Sequence, residues 1–242
     1  MTRFVRCRMV LFCLLLFPCL LAAAQQVDLK GEVQLTRNGH RARDASKVVV
    51  WLTPLGNTPV ETPPQQKNSD IPKLVQKEKS FQPSLVVVPV GGKVEFPNHD
   101  PFFHNVFSLF DGKRFDLGLY ESGSTQFVRF DKPGISYIFC NIHAQMSAVV
   151  VALNTPYYAL SDARGEISIQ DVVPGRYQMH VFHASVPQDV LRAQEREITV
   201  TPGDSTIGTI TLAESNLEVA HKNKYGHDYD PPAPDSPAYV RP

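Results

Sequence analysis

Gly134-Ile-Ser-Tyr-Ile-Phe-Cys140-Asn-Ile-His143-Ala-Gln-Met146-Ser-Ala-Val-Val-Val-Ala-Leu153 reads as a strand, a seven-residue loop and a second strand. The flanking runs are rich in Ile, Val and aromatic residues, the composition that fits a pleated, half-buried surface. The loop carries a thiol at Cys140, an imidazole at His143 and a thioether at Met146. A second imidazole, His104, stands 36 residues upstream in Phe102-Phe-His104-Asn-Val106. A thiolate, two imidazoles and a thioether are the donors of a mononuclear blue-copper site. Structural zinc prefers four Cys or His ligands, and calcium or magnesium wants oxygen donors. A soft thiolate with a weak axial thioether suits one ion shuttling between Cu(I) and Cu(II). Three donors on one loop between adjacent strands are held by the strand ends, and His104 joins them where the strand at 94–96 ends and the next resumes at 106.

Outward from that loop, nearly every apolar run is short, rich in Val and Ile, and bounded by Gly, Pro, Asn or Asp, which predicts strands. They are expected at 27–35, 47–52, 84–89, 93–96, 106–109, 125–130, 134–139, 148–153, 165–169, 175–182, 195–200 and 205–212. Only 190–197 has weak helical character. The fold class is therefore all-β. Residues 54–70 are rich in Pro and polar side chains and read as a linker. The tail at 214–242 holds several prolines and few aliphatics, so it is expected to be disordered, with His221 and His227 solvated.

Residues 1–24 read as a cleaved signal peptide: Arg3, Arg6 and Arg8 precede an apolar stretch, and Ala22-Ala23-Ala24 offers a small-residue cleavage site. The apolar run falls short of the ~20 residues a membrane span needs. Export to the periplasm or beyond, with no transmembrane span in the mature chain, is the expectation. Cys7, Cys13 and Cys19 leave with that segment, so Cys140 remains as a lone thiol in an oxidising compartment. A binuclear copper centre, which needs two cysteines, is excluded. Without the three leader arginines, the 24 basic residues fall to 21 against 24 acidic ones. No basic run appears, so nucleic acid is not an expected partner. Neither G-x-S-x-G nor a phosphate-cradling Gly loop is present, so no enzymatic activity is expected.

Phe81-x-Pro83, Val90-Gly-Gly-Lys-Val-Glu-Phe-Pro-Asn98, His104-Asn-Val106, Pro133-Gly134, Tyr137-Ile-Phe-Cys140 and His143 together resemble a cupredoxin of the plastocyanin and amicyanin type. His104-Asn-Val-Phe-Ser108 and Phe115-Asp-Leu-Gly-Leu-Tyr120 resemble exported bacterial proteins labelled plastocyanin-like or methylamine utilisation proteins. The resemblance implies His104, Cys140, His143 and Met146 as copper ligands. It also implies that Asn105 ties the two ligand segments together, and that His143 reaches the surface in an apolar patch supplied by Pro101, Ile142 and Ala144. The function it implies is single-electron transfer, with a cytochrome or dehydrogenase-type redox partner docking near His143. Copper sequestration or delivery, and a cell-surface carbohydrate- or protein-binding module with incidental copper, remain alternatives.

Downstream, Ser161-Asp-Ala-Arg-Gly165-Glu-Ile-Ser-Ile-Gln-Asp-Val-Val-Pro-Gly175-Arg-Tyr177 resembles a carboxypeptidase regulatory-like, or transthyretin-like, β-sandwich. Such a sandwich opens with a strand, a Gly-containing turn and another strand, which residues 155–213 lack and residues 27–55 supply. The expected organisation is therefore discontinuous. Segments 27–55 and 155–213 make one sandwich, 56–78 is a Pro-rich linker with a lead-in strand, and 79–153 is the cupredoxin. Val49, Trp51, Ile167 and Tyr177 are expected in one core. His99 is expected in a solvated turn, His180 and His183 as ordinary strand residues, and Phe102, Phe103 and Phe107 as divided between copper site and core.

Overall fold

The computed structural model describes residues 25–109, 112–203, 206–215 and 221–229, so the expected signal peptide at 1–24 lies outside the described residues. The chain is all-β with one short helix, Gln188–Gln194, close to where weak helical character was read. Among the described residues no helix is long and apolar enough to cross a membrane.

Strands from the two ends of the chain share two sheets. In one, Val27–Arg37 lies between Glu166–Val172, antiparallel, and Thr206–Ala213, parallel. In the other the order is Tyr158–Leu160, Val49–Pro54, Gly175–Phe182, Arg196–Val200. Alternation turns Leu29, Val33, Leu35, Ile167 and Ile210 of the first sheet toward Val50, Leu52, Tyr177 and Met179 of the second, and all of them are buried in one cluster. The Asp162 turn locks this sandwich. Its carboxylate accepts the amides of Arg164 and Glu166, each at 2.9 Å. Gly165, at φ +90°, passes so close to Val33 that a Cβ would sit 2.1 Å from its carbonyl oxygen.

The strands between these segments form a second sandwich. A five-stranded sheet runs Leu85–Pro89, Ser147–Leu153, Gly134–Cys140, His104–Ser108, Phe115–Tyr120. It faces the pair Gly92–Pro97 and Thr125–Phe130 across a core that includes Val88, Phe96, Phe130, Ile138 and Val150. The Ala-Val-Val-Val-Ala-Leu run of Ser147–Leu153 is buried on both faces. Ala148, Val150 and Ala152 enter this core, whereas Val149, Val151 and Leu153 join the first sandwich's cluster. A strand covered on both sides has no polar alternation, and this one forms the floor between the two sandwiches.

Several expectations change. Trp51 is not inside. Alternation along Val49–Pro54 sends Val50 and Leu52 inward, and Trp51 lies partly buried on the opposite face, stacked on His180 at 5.0 Å. Phe115–Tyr120 was not expected as a strand, because it is half-exposed and interrupted by Gly118 at φ +68°. Beyond the strand end at Pro54, residues 55–70 hold no strand and one 3-10 turn, Asn68–Asp70, but they are pinned. Gln66 exchanges two hydrogen bonds with the Lys93 main chain, at 2.6 and 2.9 Å. Residues 221–229 of the tail, expected to be disordered, pack on the 140–146 loop. Composition carries no record of side chains that fit a particular surface.

Candidate metal centre

The sheet register places the ligand candidates. His104 opens one strand and Cys140 closes its antiparallel neighbour, with Cys140 opposite Val106. Asn98 shapes the approach to His104: its Oδ1 accepts the Asp100 amide at 3.0 Å and its Nδ2 donates to the Phe102 carbonyl at 2.8 Å. The loop after Cys140 closes tightly, the Cys140 amide donating to the Met146 carbonyl (3.2 Å) and the Met146 amide to the His143 carbonyl (3.1 Å). Cys140, His104 and Met146 are fully buried, and His143 is half-buried.

The result is a triangle of donors. Cys140 Sγ lies 3.5 Å from His104 Nδ1 and 3.6 Å from His143 Nδ1, and all three donor atoms fall within 4.8 Å of one another. Donors that each stand about 2.0–2.3 Å from a shared ion in trigonal array are separated by roughly 3.5–3.7 Å, so the triangle fits one transition metal. Met146 is fully buried in the same core cluster as Cys140.

Asp100 fixes which nitrogen of His104 is free. Its carboxylate lies 2.9 Å from His104 Nε2 and accepts the Glu78 and Lys79 amides at 2.6 and 3.0 Å. Burial alone would raise the Asp100 pKa, but the bonds from Lys79, His104 and Glu78 together outweigh it and hold the carboxyl below its ordinary value. An ionised Asp100 takes the Nε2 proton as its hydrogen bond, which leaves the Nδ1 lone pair aimed at the cluster. Burial lowers the pKa of His104, and that of His143 to about 4, with repulsion from His104 adding to the latter. Both rings are thus neutral donors at neutral pH. Burial raises the Cys140 thiol, opposed by main-chain bonds from Asn105, Ile142 and His143. A bound cation reverses that balance and takes the sulfur as thiolate.

Nothing in composition or spacing marked Asp100, which follows the exposed His99. Asn105 does tie the ligand segments, but through its main chain: its carbonyl accepts the Asn141 amide at 2.8 Å. Its side chain instead binds Asp116 (2.6 Å) and the Gly118 carbonyl (2.9 Å) on the adjacent strand. Phe102 packs against both imidazoles, with centroids 5.3 and 5.5 Å away, while Phe107 is buried against Phe139. Pro101 and Ala144 are exposed, and Ile142 is half-buried like His143. His180 and His183 lie far from this cluster in the other sandwich. His180 bonds Thr53 at 2.5 Å, and His183 is buried near Glu214.

No protein-family model and no curated protein matches the chain. Among solved structures it is similar to a purple cupredoxin from Nitrosopumilus maritimus, at 20% identity over 34% of this chain and 99% of that one, with a TM-score of 0.31. A reduced variant of amicyanin matches at 17% identity over 34% of this chain and 82% of that one, with a TM-score of 0.33. A copper-containing nitrite reductase from Thermus scotoductus SA-01 matches at 21% identity over 49% of this chain and 28% of that one, with a TM-score of 0.34. At such scores these likenesses carry no weight beside the strand pairing and the donor geometry.

Proposed function

We propose that this chain is an exported mononuclear type 1 copper protein that carries single electrons. His104 Nδ1, Cys140 Sγ and His143 Nδ1 would hold the copper, with Met146 as a weaker fourth donor. The observation that carries the reading is the triangle of two imidazole nitrogens and one thiol sulfur, with the His104 tautomer set by Asp100. When bound, copper supplies a one-electron Cu(I)/Cu(II) couple. The chain's own part is to hold the donors in a shape that suits both oxidation states. Strand ends position His104 and Cys140, main-chain amides favour the thiolate, and Phe102 shields both rings from water. His143, half-buried, is the edge a redox protein in the periplasm would approach, and the chain acts as a carrier rather than an enzyme.

The test is to express residues 25–242, add Cu(II), and record the visible spectrum and a voltammogram. The expected result is one copper per chain, an intense thiolate-to-copper charge-transfer band and a reversible one-electron wave. A colourless protein holding stoichiometric Cu(II) would sink the reading. A copper that passes readily to a Cu(I) chelator, with no reversible wave, would favour delivery instead.

A further inference from the structure

The described tail residues 221–229 hydrogen-bond to the 140–146 loop. Tyr229 Oη donates to the Cys140 carbonyl at 2.7 Å. His221 Nε2 donates to the Ala144 carbonyl at 2.7 Å, and its ring stacks on Phe139, the residue before the thiol, at 3.9 Å. The Lys224 amide donates to Asn141 Oδ1 at 2.9 Å. Lys224 Nζ also reaches Asp116 at 2.8 Å, the same carboxylate that holds the Asn105 side chain next to His104. The tail is therefore bonded to the Cys140–His143 loop and, through Asp116, to the His104 strand.

We propose that residues 221–229 form a brace for the metal centre, in which Tyr229 and His221 are positioning residues that fix the loop carrying Cys140 and His143. This rests on the copper reading for its consequence but not for its geometry. A seven-residue loop left to water on its outer face samples more than one arrangement of its two donors. Each bond from the tail removes some of that freedom before any ion arrives, and preorganised donors hold and tune a metal better than mobile ones.

The decisive variant is the full-length double substitution Tyr229→Phe with His221→Phe. It keeps an aromatic ring at each position and removes the two bonds to the loop, together with the contact between Tyr229 Oη and His221 Nδ1 at 3.1 Å. Tyr225→Phe, in a residue 69% exposed, is the control. In the metal-free proteins, hydrogen exchange at the Cys140, Asn141 and Met146 amides should quicken roughly tenfold or more in the double variant, with the Thr125–Phe130 strand unchanged. In the copper-loaded proteins, the charge-transfer band and the reduction potential should shift while copper stays stoichiometric, and Tyr225→Phe should match wild type throughout. Loop exchange identical in wild type and double variant overturns the brace. Faster exchange with an unmoved band and potential overturns its positioning role and reduces the tail to a cover. A wild-type chain that takes up no copper overturns the proposed function, and the exchange measurement still decides whether the brace exists.

Discussion

The two sandwiches bury different chemistry. Around the metal centre, Asn98, Asp100, His104 and Asn105 are all buried within one eight-residue run, and each has a hydrogen-bonding partner. In the other sandwich the centre is Leu29, Val33, Val50, Leu52, Tyr177 and Met179, with Tyr177 donating its one polar atom to the Val173 carbonyl at 2.6 Å. An apolar core owes its stability to area removed from water and close packing. A partnered polar pocket contributes less to stability and more to unique geometry, because each group is costly only when its partner is lost. The first sandwich is centred on apolar packing, and the second on the candidate site.

If that division holds, one substitution in each region should produce opposite outcomes. Cys140→Ser should abolish the charge-transfer band completely. Metal-free, it should cost no more than about 1–2 kcal/mol, because the main-chain amides that face the sulfur can bond a hydroxyl instead. Tyr177→Ala should do the reverse, costing about 3–5 kcal/mol for a fully buried ring while any folded fraction keeps its band. Thermal melts beside visible titrations read both. A Cys140→Ser chain that fails to fold would erase the distinction.

Val151→Ala probes the boundary. Val151 faces the first sandwich's core, while its neighbours Val150 and Ala152 face the metal domain's. Its truncation should cost about 2 kcal/mol in the transition of the first sandwich and leave the band in place. A shifted band would mean that the shared sheet transmits strain from scaffold to site. Met146→Leu is a finer probe. The swap nearly conserves volume in the core, so copper should stay bound while the reduction potential rises, since a weak axial donor tunes more than it holds. Loss of copper would make Met146 a principal ligand or show that the loop collapses without it.

The same division governs what could be read in the sequence. The candidates His104, Cys140, His143 and Met146 stood out because metal chemistry demands particular atoms, three of them here on one short loop, and the structure brings the first three into one triangle. Strands with a clear apolar run were legible for the same local reason. Asp100 was not, because one carboxylate among the chain's 24 acidic residues acquires meaning only when folding sets it against Nε2. Trp51 was expected in the core, yet its neighbours Val50 and Leu52 own the inward positions, and period-two alternation leaves it partly buried on the other face. The docked tail had no periodic signal at all: its contacts run through single side chains fitted to a surface made by residues some 80 to 110 positions earlier.

Acidification offers the smallest and most local test of how the tail is joined to the site. The carboxylate of Asp116 is opposed in its ionisation by burial, but Lys224, Asn105 and the Gly118 amide together favour the charged form and set its pKa below the ordinary value. Lys224 is raised by the same pair, its hydrogen bond to Asp116 coming first. A carboxyl depressed in the folded chain contributes stability that is fully present above its unfolded pKa of about 3.9 and is lost as pH falls through the folded value. The attachment of 221–229 should therefore be constant from neutral pH down to about 4 and loosen only below it. Because the pair is partly exposed, salt should weaken it over the whole range. Hydrogen exchange at the Lys224 amide, corrected for the intrinsic pH dependence of exchange, reads the change directly. Asp116→Asn should abolish the acid-dependent step and leave the amide in the loosened state at every pH. A step that survives in Asp116→Asn would assign it to another group and leave the Lys224–Asp116 contact without a measurable role in holding the tail.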